Sequence, residues 1–306
     1  MRIDPNTLRN LLEQPNHTAW IEEPWLNYFK CYGLDEIVAN YNVEVGLLQR
    51  QSVYQHYRQK QHSIGTCVIV HGYMDHSAIY RHLIADRLAF GWDVLIYDKI
   101  GHGLSTGESY AIDSFVQYAQ QLQSILEYLA AHCDKKWQLI GQSTGASVIM
   151  EHALNPIFKP FKQITQRVLL APLVRNCHFN KVKFQYQILR FFLKRIKRGV
   201  SNNSHDKKFL NFIYQDDPLT SRWVKVSWVG AMLNWERCLH TYSQSLVPLV
   251  VIQGDGDETV DWIYNLKVIK QIFPKSQQHI IQGAKHHLVN EGDKWRGSVF
   301  ALLNSD

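Results

Sequence analysis

Residues 137–150 read WQLIGQSTGASVIM, and this stretch decides the fold of the chain. Its apolar start suits a buried strand and its end suits a helix, with Gly141-Gln142-Ser143-Thr144-Gly145 between them. A G-x-S-x-G turn holds its serine in a strained backbone conformation, because the flanking glycines remove side chains that would clash. The turn also places the Ser143 hydroxyl at a helix N-terminus, where backbone amides favour a developing anion. Ser143 is therefore the candidate nucleophile, and it requires an acid and then a histidine later in the chain.

Strands and helices alternate on both sides of this stretch. Short apolar runs rich in β-branched residues predict strands buried on both faces, at 67–70, 94–97, 139–140, 168–170, 249–252 and 279–281. Helical patterns lie at 79–90, 115–131, 146–154 and 262–272, after an N-terminal helix at 7–13 and a hairpin within 43–57. The alternation predicts the α/β class, with a mostly parallel central sheet flanked by helices.

The alternation breaks once, between residues 173 and 234, where the sequence shows helical periodicity without a buried strand. An insertion at this point would lie over the carboxyl ends of the parallel strands, where α/β sheets hold their ligands. We therefore predict a core formed by residues 1–172 and 235–306, within which residues 1–60 are a loosely assigned N-terminal extension. Residues 173–234 are predicted to form a helical cap over Ser143.

Composition excludes several classes of protein. The N-terminus lacks the apolar stretch of a signal peptide, and no window approaches the roughly 20 apolar residues that cross a bilayer, so we expect a cytoplasmic protein. Five scattered cysteines without a C-x-x-C pair argue against a disulfide framework and a zinc site. His71, His76 and His102 lack the spacing of a metallohydrolase and are interpreted as residues that structure loops. No metal or other cofactor is expected.

Two later loops supply the partners that Ser143 requires. Asp257 and His286 each follow one of the last two predicted strands, so both lie at the carboxyl edge of the sheet. An imidazole must take the serine proton, and a carboxylate must fix the tautomer of the imidazole and stabilise its cation. Each has competitors nearby: Asp255, held in reserve, and Asp261 for the acid, and His287 for the base.

Five motifs carry a resemblance to a known family. In chain order they are HGYMDHSAIY (71–80), DKIGHGLSTG (98–107), GQSTG (141–145), QGDGDETVD (253–261) and GAKHHLVNE (283–291). Together they resemble the monoacylglycerol lipase and lysophospholipase branch of the α/β-hydrolases, also grouped with the serine aminopeptidase S33 (Hydrolase_4) hydrolases. The resemblance covers residues 65–306 and implies an α/β-hydrolase fold with a helical cap. It also implies these roles: Ser143 as nucleophile, Asp257 as acid, His286 as base, and the amides of Tyr73 and Thr144 as oxyanion donors.

The turn at the nucleophile departs from the family pattern. Members of the family usually carry G-H-S-M-G-G, whereas this chain has Gln142, Thr144 and Ala146, and it places bulky Tyr73 and Met74 where small residues are common. These changes are compatible with catalysis, because the oxyanion donors are backbone amides. We expect an acyl pocket whose shape differs from that of the family.

The insertion carries concentrated positive charge. Residues 175–208 hold ten basic residues and one acid, in a chain whose net charge is +6. At helical spacing, residues 189–200 place apolar side chains on one face and basic ones on the other, which predicts a cationic amphipathic helix. Such a helix suits peripheral contact of residues 181–200 with the inner face of an anionic membrane. Alternatively, the apolar stripe of the helix packs onto the protein core. No recognition motif accompanies the charge, so nucleic acid is not an expected partner.

The residues together indicate a serine hydrolase that cleaves a small-molecule carboxylic ester through an acyl-enzyme, with a lysophospholipid or a monoacylglycerol as the favoured substrate. Bulky cap residues are candidates for an acyl channel: Phe184, Phe191, Phe192, Phe209, Phe212, Trp223 and Trp228. The enzymatic alternatives are a small-ester carboxylesterase and an S33-type aminopeptidase, although an aminopeptidase needs acidic cap residues to hold the substrate amine. The alternative of another class is a non-catalytic module that binds anionic membranes through its basic cap.

Overall fold

The structure is a computed structural model that describes residues 3–13 and 22–304; residues 1–2, 14–21 and 305–306 of the predicted core lie outside this part. The strands are β1 (Asn42–Leu48), β2 (Ser52–Arg58), β3 (Thr66–Val70), β4 (Asp93–Tyr97), β5 (Trp137–Gln142), β6 (Ile164–Leu170), β7 (Arg195–Lys197), β8 (Trp223–Lys225), β9 (Val250–Gly254) and β10 (Gln277–Ile281). The helices are α1 (Pro5–Leu12), α2 (Glu23–Tyr32), α3 (Asp35–Asn40), α4 (Arg81–Ala89), α5 (Phe115–His132), α6 (Thr144–Leu154), α7 (Phe179–Leu189), α8 (Lys207–Asn211), α9 (Val226–Leu239), α10 (Trp262–Ile272) and α11 (Asp293–Leu303).

Eight of these strands form one sheet, in the order β1-β2-β4-β3-β5-β6-β9-β10. β2 pairs antiparallel with β1 and with β4, and every pairing from β4 to β10 is parallel. Helices cover both faces, and an apolar core lies on each. β3, β4 and β5 are buried along their whole length, as expected for strands covered on both sides. The predicted fold class is confirmed, and each predicted sheet strand is present.

The N-terminal region contributes to this core. β1 and β2 form the predicted hairpin and extend the sheet at one edge. α1 and α2 pack into one of the two apolar cores, where Leu8, Trp25, Tyr28 and Phe29 are buried. Neither these nor the other described helices combine the length and the apolar character that crossing a bilayer requires.

β5 turns into α6 at Ser143, whose backbone angles are φ 54° and ψ −113°. A Cβ on Gly141 would lie 2.5 Å from the carbonyl carbon of Gly145, and a Cβ on Gly145 would lie 1.9 Å from the carbonyl oxygen of Val70. The start of α6 can approach the end of β3 this closely only because residue 145 has no side chain. The two glycines therefore allow the turn that presents Ser143.

We expect Gly145→Ala to destabilise the fold by about 3 kcal/mol, because the new methyl group meets backbone that cannot move aside. The matched control is Gly297→Ala within α11, where an added Cβ meets no atom within 4 Å. That control should be neutral or more stable by about 0.5–1 kcal/mol, since alanine favours helix more than glycine. Urea unfolding of both variants measures the effect, and equal stability of the two would contradict it.

The segment between β6 and β9 leaves the sheet and contains α7, the antiparallel ribbon β7–β8, α8, one π-helical turn (Phe212–Asp216) and α9. The boundary predicted between residues 234 and 235 falls inside α9.

The amphipathic helix predicted across 189–200 is wrong. α7 ends at Leu189, and the residues that follow turn into β7. The physical reason is cross-strand pairing: Ile196 lies opposite Val224, and the guanidinium of Arg195 stacks on the ring of Trp223 at 4.4 Å. These pairs stabilise an extended segment where local periodicity favours a helix.

Candidate active site

Ser143, His286 and Asp257 form one hydrogen-bonded chain at the carboxyl edge of the sheet. Ser143 follows β5, Asp257 follows β9 and His286 follows β10, so three loops meet where parallel strands end. The Ser143 Oγ lies 2.9 Å from His286 Nε2, and His286 Nδ1 lies 2.7 Å from Asp257 Oδ2. The structure thus brings together the three residues that the sequence singled out as nucleophile, base and acid.

Burial and hydrogen bonds set the charge states of this chain. Burial disfavours the Asp257 carboxylate, but His286, Gln253 and the Thr259 amide outweigh burial and hold the pKa of Asp257 below its ordinary value. Burial also disfavours the imidazolium, yet the adjacent carboxylate raises the pKa of His286 above its ordinary value. With Nδ1–H donated to Asp257, Nε2 is free to accept the proton of Ser143.

The competing residues are engaged elsewhere. Asp255 accepts a backbone amide of the loop that precedes His286. Asp261 caps α10 by accepting from the Tyr264 amide. His287 Nε2 lies 3.3 Å from Asp75 Oδ1. Each competitor therefore has a structural partner of its own.

The loop after β3 presents the backbone amide of Tyr73 at the cavity that holds Ser143. The Gly72 N–H is taken by Asp75 Oδ2, at 3.1 Å, and by a tyrosine hydroxyl. By contrast, no acceptor in the described part of the chain takes the amide of Tyr73 or of Thr144. Both residues line the cavity with Ser143. Two free amides at one cavity wall can donate hydrogen bonds to an oxyanion.

Asp75 and His287 form a second carboxylate–histidine pair, which the sequence did not reveal. Asp75 is buried, which disfavours its ionisation, but His287 outweighs burial and holds the pKa of Asp75 below its ordinary value. The pair joins the loop that carries Tyr73 to the residue next to His286. The HGYMDHS motif contained Asp75, but its partner lies 212 positions away, beyond the reach of any local pattern.

His71, His76 and His102, which the sequence analysis interpreted as residues that structure loops, each form a hydrogen bond within or between loops. His71 Nε2 accepts from the Lys99 amide at 2.9 Å, and His102 Nδ1 donates to a carbonyl of its own turn. His76 Nε2 lies 2.9 Å from Asp217 Oδ2, which ties the loop after β3 to the insertion. Residues 3–13 and 22–304 contain no group of three His, Cys, Asp or Glu side chains placed to hold a metal ion.

Ser143 and His286 open into a cavity of about 370 Å³ beneath the insertion. Its wall is largely apolar and includes Val182, Trp228 and Met232 from the insertion. Trp228 stacks on Tyr73 with ring centroids 3.7 Å apart.

Of the seven cap residues named as candidates for an acyl channel, Trp228 alone lines this cavity. Phe191 and Phe192 are 70% and 79% exposed, and Trp223 lies on the ribbon under Arg195. The structure thereby corrects the prediction that the other six residues line an acyl channel: Phe184, Phe191, Phe192, Phe209, Phe212 and Trp223. Phe191 and Phe192 belong to a turn and Trp223 to an exposed strand, so their side chains lie outside the cavity.

A mostly parallel sheet with a strained serine turn after a central strand, and with an aspartate and a histidine on the loops after its last two strands, defines the α/β-hydrolase class. A profile described as serine aminopeptidase, S33, matches residues 61–293, and the chain belongs to that family.

Relatives place the chain more narrowly. It is 27% identical to the monoglyceride lipase of Homo sapiens over 250 residues, which cover 77% of this chain and 80% of that protein. It is 22% identical to the probable lysophospholipase L2 of Haemophilus influenzae over 312 residues, covering 93% and 97%. A soluble variant of the Saccharomyces cerevisiae monoglyceride lipase, solved with a substrate analog, shares the fold with a TM-score of 0.74 at 16% identity, covering 86% of this chain and 93% of that one. The predicted monoacylglycerol lipase and lysophospholipase branch is confirmed, and the chain is an enzyme of that branch.

Proposed function

We propose that the protein is a serine hydrolase that cleaves the carboxylic ester of a monoacyl lipid, a lysophospholipid or a monoacylglycerol, through an acyl-enzyme. The observation that carries the proposal is the hydrogen-bonded chain of Ser143, His286 and Asp257 at the wall of an apolar cavity. The names of the relatives support it, since two are monoglyceride lipases and one is a probable lysophospholipase.

The reaction follows from the hydrogen bonds. Ser143 Oγ attacks the acyl carbonyl while His286 Nε2 accepts the hydroxyl proton, and Asp257 stabilises the imidazolium. The carbonyl oxygen becomes an oxyanion that accepts from the amides of Tyr73 and Thr144. The ester bond then breaks as His286 returns the proton to the leaving alcohol. A water molecule, deprotonated by the same histidine, attacks the acyl-serine and releases the fatty acid.

In this proposal residues 173–234 act as a cap that binds the acyl chain. α7, β8 and α9 contribute apolar side chains to the cavity, among them Val182, Val224 and Val229. Each methylene group buried against such a wall contributes about 0.8 kcal/mol, or roughly fourfold in affinity. Long acyl chains should therefore be preferred over short ones until the cavity is full.

A series of p-nitrophenyl esters of increasing chain length tests the proposal, together with 1-monoacylglycerol, a lysophospholipid and an aminoacyl p-nitroanilide. We expect kcat/KM to rise with each added methylene and both monoacyl lipids to be hydrolysed. A maximum at acetate or butyrate would favour the small-ester carboxylesterase, and cleavage of the anilide alone would favour the aminopeptidase.

The cavity wall disfavours an aminopeptidase. Asp75 is the carboxylate among the lining residues that the structure describes. Its oxygens already bind His287 and the Gly72 amide. No uncommitted carboxylate of this wall is left to hold a substrate amine, and the insertion above it is basic.

We further propose peripheral contact with anionic membranes through residues 181–200. This segment joins basic side chains to large exposed apolar ones, including Phe184, Phe191 and Phe192. Exposed aromatic side chains insert into the headgroup region, and each nearby basic residue contributes on the order of 1 kcal/mol at an anionic surface.

Liposome co-sedimentation of the Phe191→Ser/Phe192→Ser variant tests this contact, with phosphatidylglycerol vesicles and with neutral ones. We expect wild type to bind the anionic vesicles in a salt-sensitive way. The variant should bind them at least about tenfold more weakly. Phe90→Ser is the matched control, because Phe90 is 51% exposed at the end of α4 on the core. Equal sedimentation of all three proteins, or failure of wild type to bind at any salt concentration, would overturn the contact.

A further inference from the structure

The cavity above Ser143 is lined by two chemically different sets of residues. α7, β8 and α9 give it apolar side chains, whereas residues 198–203 give it a polar wall that contains Arg198, Ser201 and Asn203. A ligand that matches both sets of residues must be an amphiphile with a polar head and an apolar chain.

Arg198 carries a positive charge that pairs with no carboxylate among the residues that the structure describes. Its guanidinium stacks on the ring of Tyr214 at 4.7 Å, and its Nη1 is shielded from solvent without an acceptor. A shielded donor without an acceptor costs free energy comparable to a lost hydrogen bond, and more when the group is charged. An anionic ligand that supplies an acceptor to this guanidinium would therefore gain a charge-assisted hydrogen bond.

The polar wall is anchored beside the proposed base. The His287 amide donates to the Asn203 carbonyl at 2.8 Å, and the Ser204 hydroxyl donates to the Asn290 carbonyl at 2.7 Å. These bonds hold residues 203–204 against the segment that follows His286. Burial raises the pKa of the Tyr73 phenol, and the charge of Arg198 opposes that rise, so Arg198 also lies within electrostatic reach of the oxyanion loop.

We infer that Arg198 forms an anion subsite that binds the phosphate of a lysophospholipid head group and selects such substrates over neutral monoacylglycerols. The inference rests on the proposed function, because the head group is placed by the ester that Ser143 attacks. Guanidinium matches phosphate with paired, charge-assisted hydrogen bonds, whereas a glycerol hydroxyl offers a single neutral acceptor. Ser201 and Asn203 belong to the same polar segment and also line the cavity.

The test compares octanoyl-lysophosphatidylglycerol with 1-octanoylglycerol, both below their critical micelle concentrations, so that binding to a lipid surface does not enter. We expect Arg198→Gln to lower kcat/KM for the phospholipid about 10- to 100-fold and to change that for the neutral lipid by less than about threefold. Arg198→Lys should recover part of the loss, since it keeps the charge but not the paired geometry.

Arg195→Gln is the matched control, because Arg195 lies on the same ribbon, is exposed and stacks on an aromatic ring. It should leave both substrates unchanged. An equal loss on both substrates in Arg198→Gln, or equal losses in the two arginine variants, would overturn the subsite and assign Arg198 a structural or general electrostatic role.

Hydrolysis of p-nitrophenyl octanoate by wild type separates this inference from the proposed function. An active enzyme whose phosphate preference does not depend on Arg198 sinks the subsite alone. A folded wild type that is inactive on every ester sinks the proposed function, and the subsite with it.

Discussion

Ser143→Ala should lower kcat for ester hydrolysis by about 10⁵- to 10⁶-fold, equivalent to about 7–8 kcal/mol of transition-state stabilisation. The variant removes the only atom that forms the covalent bond, so the remaining rate comes from the oxyanion donors and substrate binding. Its fold should persist, because the backbone bonds of residue 143 to Leu170 and Leu173 do not involve the hydroxyl. Steady-state kinetics on p-nitrophenyl octanoate measures the loss.

Ser105→Ala is the control for this variant, since Ser105 is the other serine in a glycine-rich turn. Its hydroxyl accepts from the Val53 amide and donates to the Asp98 carbonyl, so its removal should cost about 1–2 kcal/mol of stability. Activity per folded molecule should stay within about threefold of wild type. Retention of more than about 1% of wild-type kcat by Ser143→Ala would remove Ser143 as the nucleophile.

Asp257→Asn should lower kcat by about 10⁴-fold and move the acid limb of the pH profile. The base acts only when the His286 imidazole is neutral, so wild-type kcat/KM should fall as pH drops through a pKa above the ordinary 6.5. Burial opposes that raised pKa, and the Asp257 carboxylate causes it. Without the carboxylate the acid limb should therefore lie at lower pH.

The competing carboxylates supply matched controls for this second prediction. Asp255→Asn should keep both rate and pH profile, because Asp255 accepts only a loop amide. Asp261→Asn should at most weaken the cap of α10, by about 1 kcal/mol or less, and keep the pH profile. If Asp255→Asn or Asp261→Asn reproduced the shifted acid limb while Asp257→Asn did not, the acid would be misassigned.

The sheet and the candidate triad could be predicted because both leave local signals. Strands buried on two faces are continuous apolar runs, and parallel strands place the loops that follow them at one edge. Ser143, Asp257 and His286 each follow such a run, so chain order alone placed them together. The strained turn at Ser143 could also be predicted, because the glycines that allow it flank the serine in the sequence.

The rest depends on contacts between distant segments. β7 forms because it pairs with residues 223–225. The helical periodicity within 189–200 carries no information about that pairing. The same error placed Arg198 on the basic face of an amphipathic helix, whereas it lines the cavity. Asp217 and His76 form a hydrogen bond although they lie 141 positions apart, and no sequence motif predicts this contact.

Covalent labelling with a fluorophosphonate probe tests the central claim most directly. The probe reacts with a serine only when a neighbouring base activates it, so intact-mass and peptide mass spectrometry report both the activation and the residue. The proposed mechanism predicts one adduct per chain, located on Ser143 and absent from Ser143→Ala. A folded wild type that remains unlabelled, or an adduct on another serine, would contradict it; the unlabelled outcome would favour a non-catalytic module that acts through its basic cap.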